Sequence, residues 1–161
     1  MRTLLLFFVL ALCMLGQTAN NNTALGAGAL SSNTTGVNNT ALGSSALLGN
    51  STGYNNTATG RRALESNTIG VQNTANGVNA LLRNTSGSNN TAVGFQGLLF
   101  NTTGVANVAL GHRVLESNTT GSNNLGLGVL ALPRNTAGSD NIAIGNEALS
   151  NVTAGNNNIA I

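Results

Sequence analysis

Lysine and tryptophan are absent from this chain of 161 residues, and proline and cysteine occur once each. Charged side chains make up 6% of it and aromatic ones 3%, which argues against an ordinary layered core enclosing a catalytic cleft. With no lysine, and with the arginines spread along the sequence, there is no basic tract to follow a nucleic-acid backbone. The single cysteine, Cys13, excludes an internal disulfide. Disorder normally combines few aliphatics with high net charge; here 41% of residues are apolar and the net charge is +2, so an ordered chain is expected.

What is present begins with an export signal. Arg2 precedes an almost wholly apolar stretch from Leu4 to Leu15, and Gly16-Gln17-Thr18-Ala19 then leads into asparagine-rich sequence. That layout predicts a secretory signal over residues 1–19, cleaved after Ala19, and a secreted or cell-surface product. The stretch is short for a membrane span, and no later segment approaches 18 apolar residues, so no span is expected in the mature chain. A lipoprotein reading would acylate Cys13, but Leu10-Ala11-Leu12 before it puts a large residue where a small one is needed.

From Asn22 the chain falls into 17-residue units without insertion or deletion, over a repeat domain spanning residues 20–161. Asparagine opens each unit: Asn22, Asn39, Asn56, Asn73, Asn90, Asn107, Asn124 and Asn141, with Asn158 opening a partial ninth. Glycine follows four residues later, as at Gly26, Gly43, Gly94 and Gly111. Eight residues in stands leucine: Leu30, Leu47, Leu64, Leu81, Leu98, Leu115, Leu132 and Leu149. A second glycine, from Gly36 to Gly155, follows an Asn-Thr pair or a close variant of it, whose asparagine only Val152 interrupts. The last unit stops at Ile161, just short of its glycine, so a fragment of a longer fibre is expected.

Seventeen residues are too few for two helices and a turn. Two β-prone stretches, around Thr40-Ala41-Leu42 and Ala46-Leu47-Leu48, are bounded by glycines that permit corners, so a coil of two or three short strands is expected. The fold class predicted is all-β: a β-solenoid or β-roll of eight coils plus part of a ninth. Coils stacked about 4.8 Å apart place Leu over Leu and Asn over Asn. Each buried leucine then contributes about 1.5–3 kcal/mol, and each amide-to-amide hydrogen bond about 1 kcal/mol net. A longer period is superimposed: Arg62, Glu65, Ser66, Val78 and Arg83 recur 51 residues on as Arg113, Glu116, Ser117, Val129 and Arg134.

Reactive chemistry is sparse. His112 is the only histidine, and it falls at a variable corner that other coils fill with Ala27, Ser44, Arg61 or Phe95. Glu65, Glu116, Asp140 and Glu147 are the only acids, too few for a calcium roll that needs an aspartate in every turn. Gly26-Ala27-Gly28 and Gly126-Leu127-Gly128 lack the βαβ setting of a nucleotide loop and read as corners. No catalytic residue, metal ligand or cofactor is expected, and the chain is read as a non-enzyme. Asn-x-Ser/Thr acceptors at Asn33, Asn38, Asn50, Asn84, Asn101 and Asn118 read as by-products of the repeat.

Two threonine columns remain. Thr23, Thr40, Thr57, Thr74 and Thr91 stack in the first five coils and then give way to Val108, Leu125, Ile142 and Ile159. Thr34, Thr68, Thr85, Thr102, Thr119, Thr136 and Thr153 form the second. Flat threonine arrays suit ice binding, which makes Thr23, Thr40, Thr57, Thr74 and Thr91 the binding surface of a rival reading. Against it, the alternating Thr-x-Thr pattern reads as missing. The aliphatic run Val108, Leu110, Leu125, Leu127, Ile142 and Ile144 is the candidate chain–chain contact.

The units Asn38-Asn39-Thr40-Ala41-Leu42-Gly43 and Asn90-Thr91-Ala92-Val93-Gly94, with the Ala-Leu or Gly-Leu pairs and Asn-Thr-Thr-Gly runs after them, resemble a known repeat class over residues 22–161. They are similar to the Asn/Thr/Gly-rich repeats of bacterial secreted tail-fibre-domain proteins and, more loosely, to the heads of trimeric autotransporter adhesins. The resemblance implies an elongated surface fibre that self-associates, as a trimer in those families, and meets a surface ligand. The adhesin head unit is usually shorter than this one, and no membrane anchor or C-terminal chaperone domain follows here, which leaves attachment and trimerisation open. A stiff extracellular spacer or adhesive stalk is the expected function, with ice binding as the alternative.

Overall fold

A computed structural model describes Gln17, Thr18 and residues 20–161; the proposed signal lies almost wholly outside the described residues. The repeat domain is a β-solenoid. Its strands are β1 (Gln17–Thr18), β2 (Asn22–Leu25), β3 (Thr40–Leu42), β4 (Thr57–Thr59), β5 (Thr74–Asn76), β6 (Thr91–Val93), β7 (Val108–Leu110), β8 (Leu125–Leu127), β9 (Ile142–Ile144) and β10 (Ile159–Ala160). They lie in one sheet in chain order. From β2 to β10 neighbours are parallel and pair one full repeat apart, so Thr40 faces Thr57 and Ala41 faces Ala58. Only β1 is antiparallel, pairing Gln17 with Thr23 and Thr18 with Asn22. It belongs to the segment assigned to the export signal, so cleavage after Ala19 would bare the outer edge of β2.

Each coil holds one strand rather than the two or three expected. Counting the opening asparagine as position 1, the strand covers positions 2 to 4, and the second β-prone stretch, Ala46-Leu47-Leu48, is turn. Backbone sign decides this. Gly43, Ser45 and Leu47, at positions 5, 7 and 9, have φ of 137°, 58° and 50°, which no pleated strand accommodates. The turn is still bonded to its neighbours: Leu47 N–H donates to Ala63 O at 3.0 Å and Ser45 N–H to Ala27 O at 2.8 Å. The whole circuit is therefore laddered, not the sheet alone.

Leucine at position 9 carries an unusual load. Leu47, Leu64, Leu81, Leu98, Leu115 and Leu132 are fully buried, yet all have φ of 50–51°. The left-handed region costs an L-residue about 1–2 kcal/mol, while burying leucine returns about 1.5–3 kcal/mol. Burial wins by a small margin at each coil. Alanines at positions 3 and 8, such as Ala58 and Ala63, keep the interior narrow enough for that leucine column to close it.

The asparagine columns complete the interior. Asn56 Nδ2 donates to Asn39 Oδ1 at 3.1 Å and to Gly70 O at 2.9 Å, and Asn56 N–H reaches the same Asn39 Oδ1 at 3.0 Å. Asn56 Oδ1 in turn accepts from Asn73 N–H and Nδ2 at 3.0 and 3.2 Å. Two donors and two acceptor sites are thus all used, as a buried amide requires. Position 12 forms a second ladder, with Asn84 Nδ2 donating to Asn67 Oδ1 at 2.8 Å and to Gly87 O at 2.9 Å. The two glycine columns differ in cause. Position 5 is glycine for its φ and also for space, since a Cβ on Gly43 would sit 2.5 Å from Gly60 O, whereas at position 15 space alone decides, a Cβ on Gly53 falling 2.5 Å from Gly70 O of the next coil. The second glycine is a point of close approach, not a corner.

Candidate functional site

The asparagine, leucine and glycine columns singled out above build the interior and the corners; they hold the coils together and leave little for a partner to touch. Functional contacts must come from the outward faces. On the sheet, position 3 points in while positions 2 and 4 point out. The outer face therefore carries Thr23, Thr40, Thr57, Thr74 and Thr91 in one row, continued by Val108, Leu125 and Ile142. The parallel row at position 4 ends in Leu110, Leu127 and Ile144, and Leu127 is 42% exposed. The aliphatic run expected as a contact is thus one continuous patch on the C-terminal half of the sheet.

The two threonine columns are not equivalent. Thr68, Thr85, Thr102 and Thr119 each donate their hydroxyl to a main-chain carbonyl of the next coil, at 2.8–3.0 Å. Those hydroxyl hydrogens brace the stack and are not offered to a ligand. Nor is the Thr-x-Thr pattern wholly missing: Thr57 and Thr59 flank buried Ala58 and both face out of β4. It occurs in that one coil only.

The arginines are not scattered in space. Arg61, Arg62, Arg83, Arg113 and Arg134 all fall between positions 6 and 11, so the turn side of every coil that has arginine collects it. Arg62 and Arg113 pair with Glu65 and Glu116, both at 2.8 Å. The hydrogen bond to Glu65, and then its charge, push the Arg62 pKa further up. Arg83 lies over the Phe100 ring at 5.3 Å, and Arg134 donates to Asn151 Oδ1 at 3.0 Å. The 51-residue recurrence signalled this clustering, because it repeats charge at fixed coil positions, but linear spacing hides which positions share a side.

His112 stacks on Phe95 of the preceding coil, ring centroids 5.4 Å apart, at the exposed corner expected for it. Among the described residues no group of three His, Cys, Asp or Glu could hold a metal ion, and no helix is long and apolar enough to cross a membrane. The Gly126 corner is corrected: this glycine is buried at the centre of β8, and a Cβ there would lie 2.3 Å from Val114 Cγ1. The Asn-x-Ser/Thr acceptors also divide. Asn50, Asn84, Asn101 and Asn118 are fully buried, whereas Asn38 is exposed at a corner with φ of 57°.

The outward geometry defines a stiff rod with one flat strip of sheet and one charged turn side. Comparison of the chain with family models, curated proteins and solved structures gives no match.

Proposed function

We propose that this chain is a segment of an exported, non-catalytic extracellular fibre, serving as a stiff spacer that self-associates through its sheet face. The observation that carries this reading is the change along that face from threonine to aliphatic side chains at Val108, Leu110, Leu125, Leu127, Ile142 and Ile144. An apolar strip on a regular rod gains by being covered. Its size limits the affinity. The whole sheet face, nine strands about 4.8 Å apart and roughly 10 Å wide, gives about 400 Å² of footprint, half the ~800 Å² per partner of a stable complex, and the aliphatic strip takes up three of those strands. Association through this face alone is therefore reversible and concentration-dependent, and a trimer needs further contacts.

Light scattering across a hundredfold dilution series tests it. Mass rising with concentration, and falling back in Leu125→Thr/Ile142→Thr, supports the fibre; a monomer throughout removes it. The second reading, ice binding, rests on the outward row Thr23, Thr40, Thr57, Thr74 and Thr91. Ice faceting that disappears when Thr40, Thr57 and Thr74 are replaced by bulky residues would put that reading first.

A further inference from the structure

The turn side carries a cleft that the sheet face does not explain. Positions 7, 10 and 11 of coils six to eight form a three-by-three array around a cavity of about 610 Å³, within the range of small-molecule sites. Arg113 and Glu116 stand at one end, Glu147 and Asn151 at the other, and Leu130 and Pro133 between them. Two guanidinium groups, counting Arg134, face two carboxylates, so the lining is charge-balanced. It is rich in planar donors and acceptors around an apolar middle.

A related array stands three coils earlier, with bulkier side chains at two of its positions. Arg62, Glu65 and Arg83 match Arg113, Glu116 and Arg134. Where the later block has Ser150 and Asn151, however, the earlier one has Leu99, which is 6% exposed, and Phe100, over which Arg83 lies. Asn79, matching Leu130, has its Oδ1 shut in without a hydrogen-bond partner. Against the earlier block, the later one keeps Arg113, Glu116 and Arg134, carries Glu147 where Gln96 stands, and has two small polar side chains in place of two bulky apolar ones.

We propose that the later cleft binds a neutral saccharide. Hydroxyl groups donate to Glu116 and Glu147 and accept from Arg113 and Arg134, while the apolar face of a sugar ring lies on Leu130 and Pro133. Arg113 and Glu116 already pair at 2.8 Å, so an anion would meet the Glu147 carboxylate, and an apolar ligand would cover Arg134, Glu147 and that pair without answering their remaining donors and acceptors. The array spans two coil spacings, about 9.6 Å, which suits one disaccharide. The site supplies a ligand for the adhesive side of the fibre reading but rests on the cleft alone: loss of self-association leaves it standing.

Saturation-transfer NMR on the full chain tests it, with cellobiose, maltose, lactose and N,N′-diacetylchitobiose as probes and sialyllactose as the anionic comparison. At least one neutral disaccharide is expected to give a signal stronger than that of sialyllactose. The signal is expected to vanish in Ser150→Leu/Asn151→Phe, which installs the side chains the earlier block already folds with. Should that variant melt early, Ser150→Leu alone should show the same loss. Silence from all four neutral sugars, a stronger response to sialyllactose, or a signal that survives the filled cleft overturns the proposal.

Discussion

Val152 stands one coil beyond Asn135, where the ladder calls for another asparagine, and Asn135 Oδ1 is left buried without a hydrogen-bond partner. From Asn33 to Asn118 the same oxygen accepts from the amide of the coil that follows. A buried acceptor left unpaired costs about 1–3 kcal/mol. Val152→Asn should therefore raise stability by about that amount in denaturant melts. A neutral or harmful effect would mean that the orphaned oxygen is satisfied by water.

Val114 and Gly126 form a volume-compensating pair. Gly97 apart, the other coils place alanine at these positions, but here the larger Val114 at position 8 occupies the space a Cβ on Gly126 would need, at 2.3 Å. Gly126→Ala alone should overpack the core and cost about 1–3 kcal/mol. Val114→Ala/Gly126→Ala should recover most of that loss, an interaction that a double-mutant cycle reads directly. Additive effects would contradict the pairing.

Position 17 turns through left-handed backbone in every coil, and Ala106 does so at φ of 56° on the exposed surface. Asparagine, aspartate or glutamine fills that place elsewhere in the stack. Asparagine tolerates this region far better than alanine. Ala106→Asn should stabilise the fold by about 0.5–1 kcal/mol without altering any contact, and an unchanged melting temperature would count against the backbone geometry.

Burial also sets a limit on where this chain can be made. Asn50, Asn84, Asn101 and Asn118 head Asn-x-Ser/Thr acceptors, yet their amides are spent inside the position 12 ladder. A glycan added to any of them before folding would occupy the core. Passage through a glycosylating secretory pathway should yield retained, misfolded protein. Thr35→Ala, Thr52→Ala, Ser86→Ala, Thr103→Ala and Thr120→Ala together erase these four acceptors and that of Asn33, which opens the same ladder, and should restore secretion. Folded, secreted wild type with a glycan on Asn84 or Asn101 would contradict the structure.

Much of this architecture was legible in the sequence because the repeat never slips: a constant step of 17 residues puts Asn39 over Asn22 and Leu47 over Leu30 whatever the path between them. The path itself was not. Ala46-Leu47-Leu48 has strand-forming composition, and nothing in its residue types announces a leucine at positive φ; neighbouring coils impose that geometry by burying the side chain. The role of Gly53 was missed for a related reason, since a glycine needed for close approach looks the same in sequence as one needed for a corner. The cleft was half visible. Three of its four charged residues recur in the sequence, but its character depends on Glu147, Ser150 and Asn151 standing where Gln96, Leu99 and Phe100 stand earlier, a difference whose meaning needs the coils to be stacked.

Side-chain amide exchange measures that stacking most directly. In a nitrogen-15 correlation spectrum taken after transfer to deuterated water, the Nδ2 hydrogens of Asn56, Asn73, Asn90 and Asn107 should persist for hours, because each amide bridges two coils. Those of exposed Asn38 and Asn55 should vanish at once. Equal, rapid loss from all six would show that the asparagines are not piled into a ladder, and the solenoid built on them would be wrong.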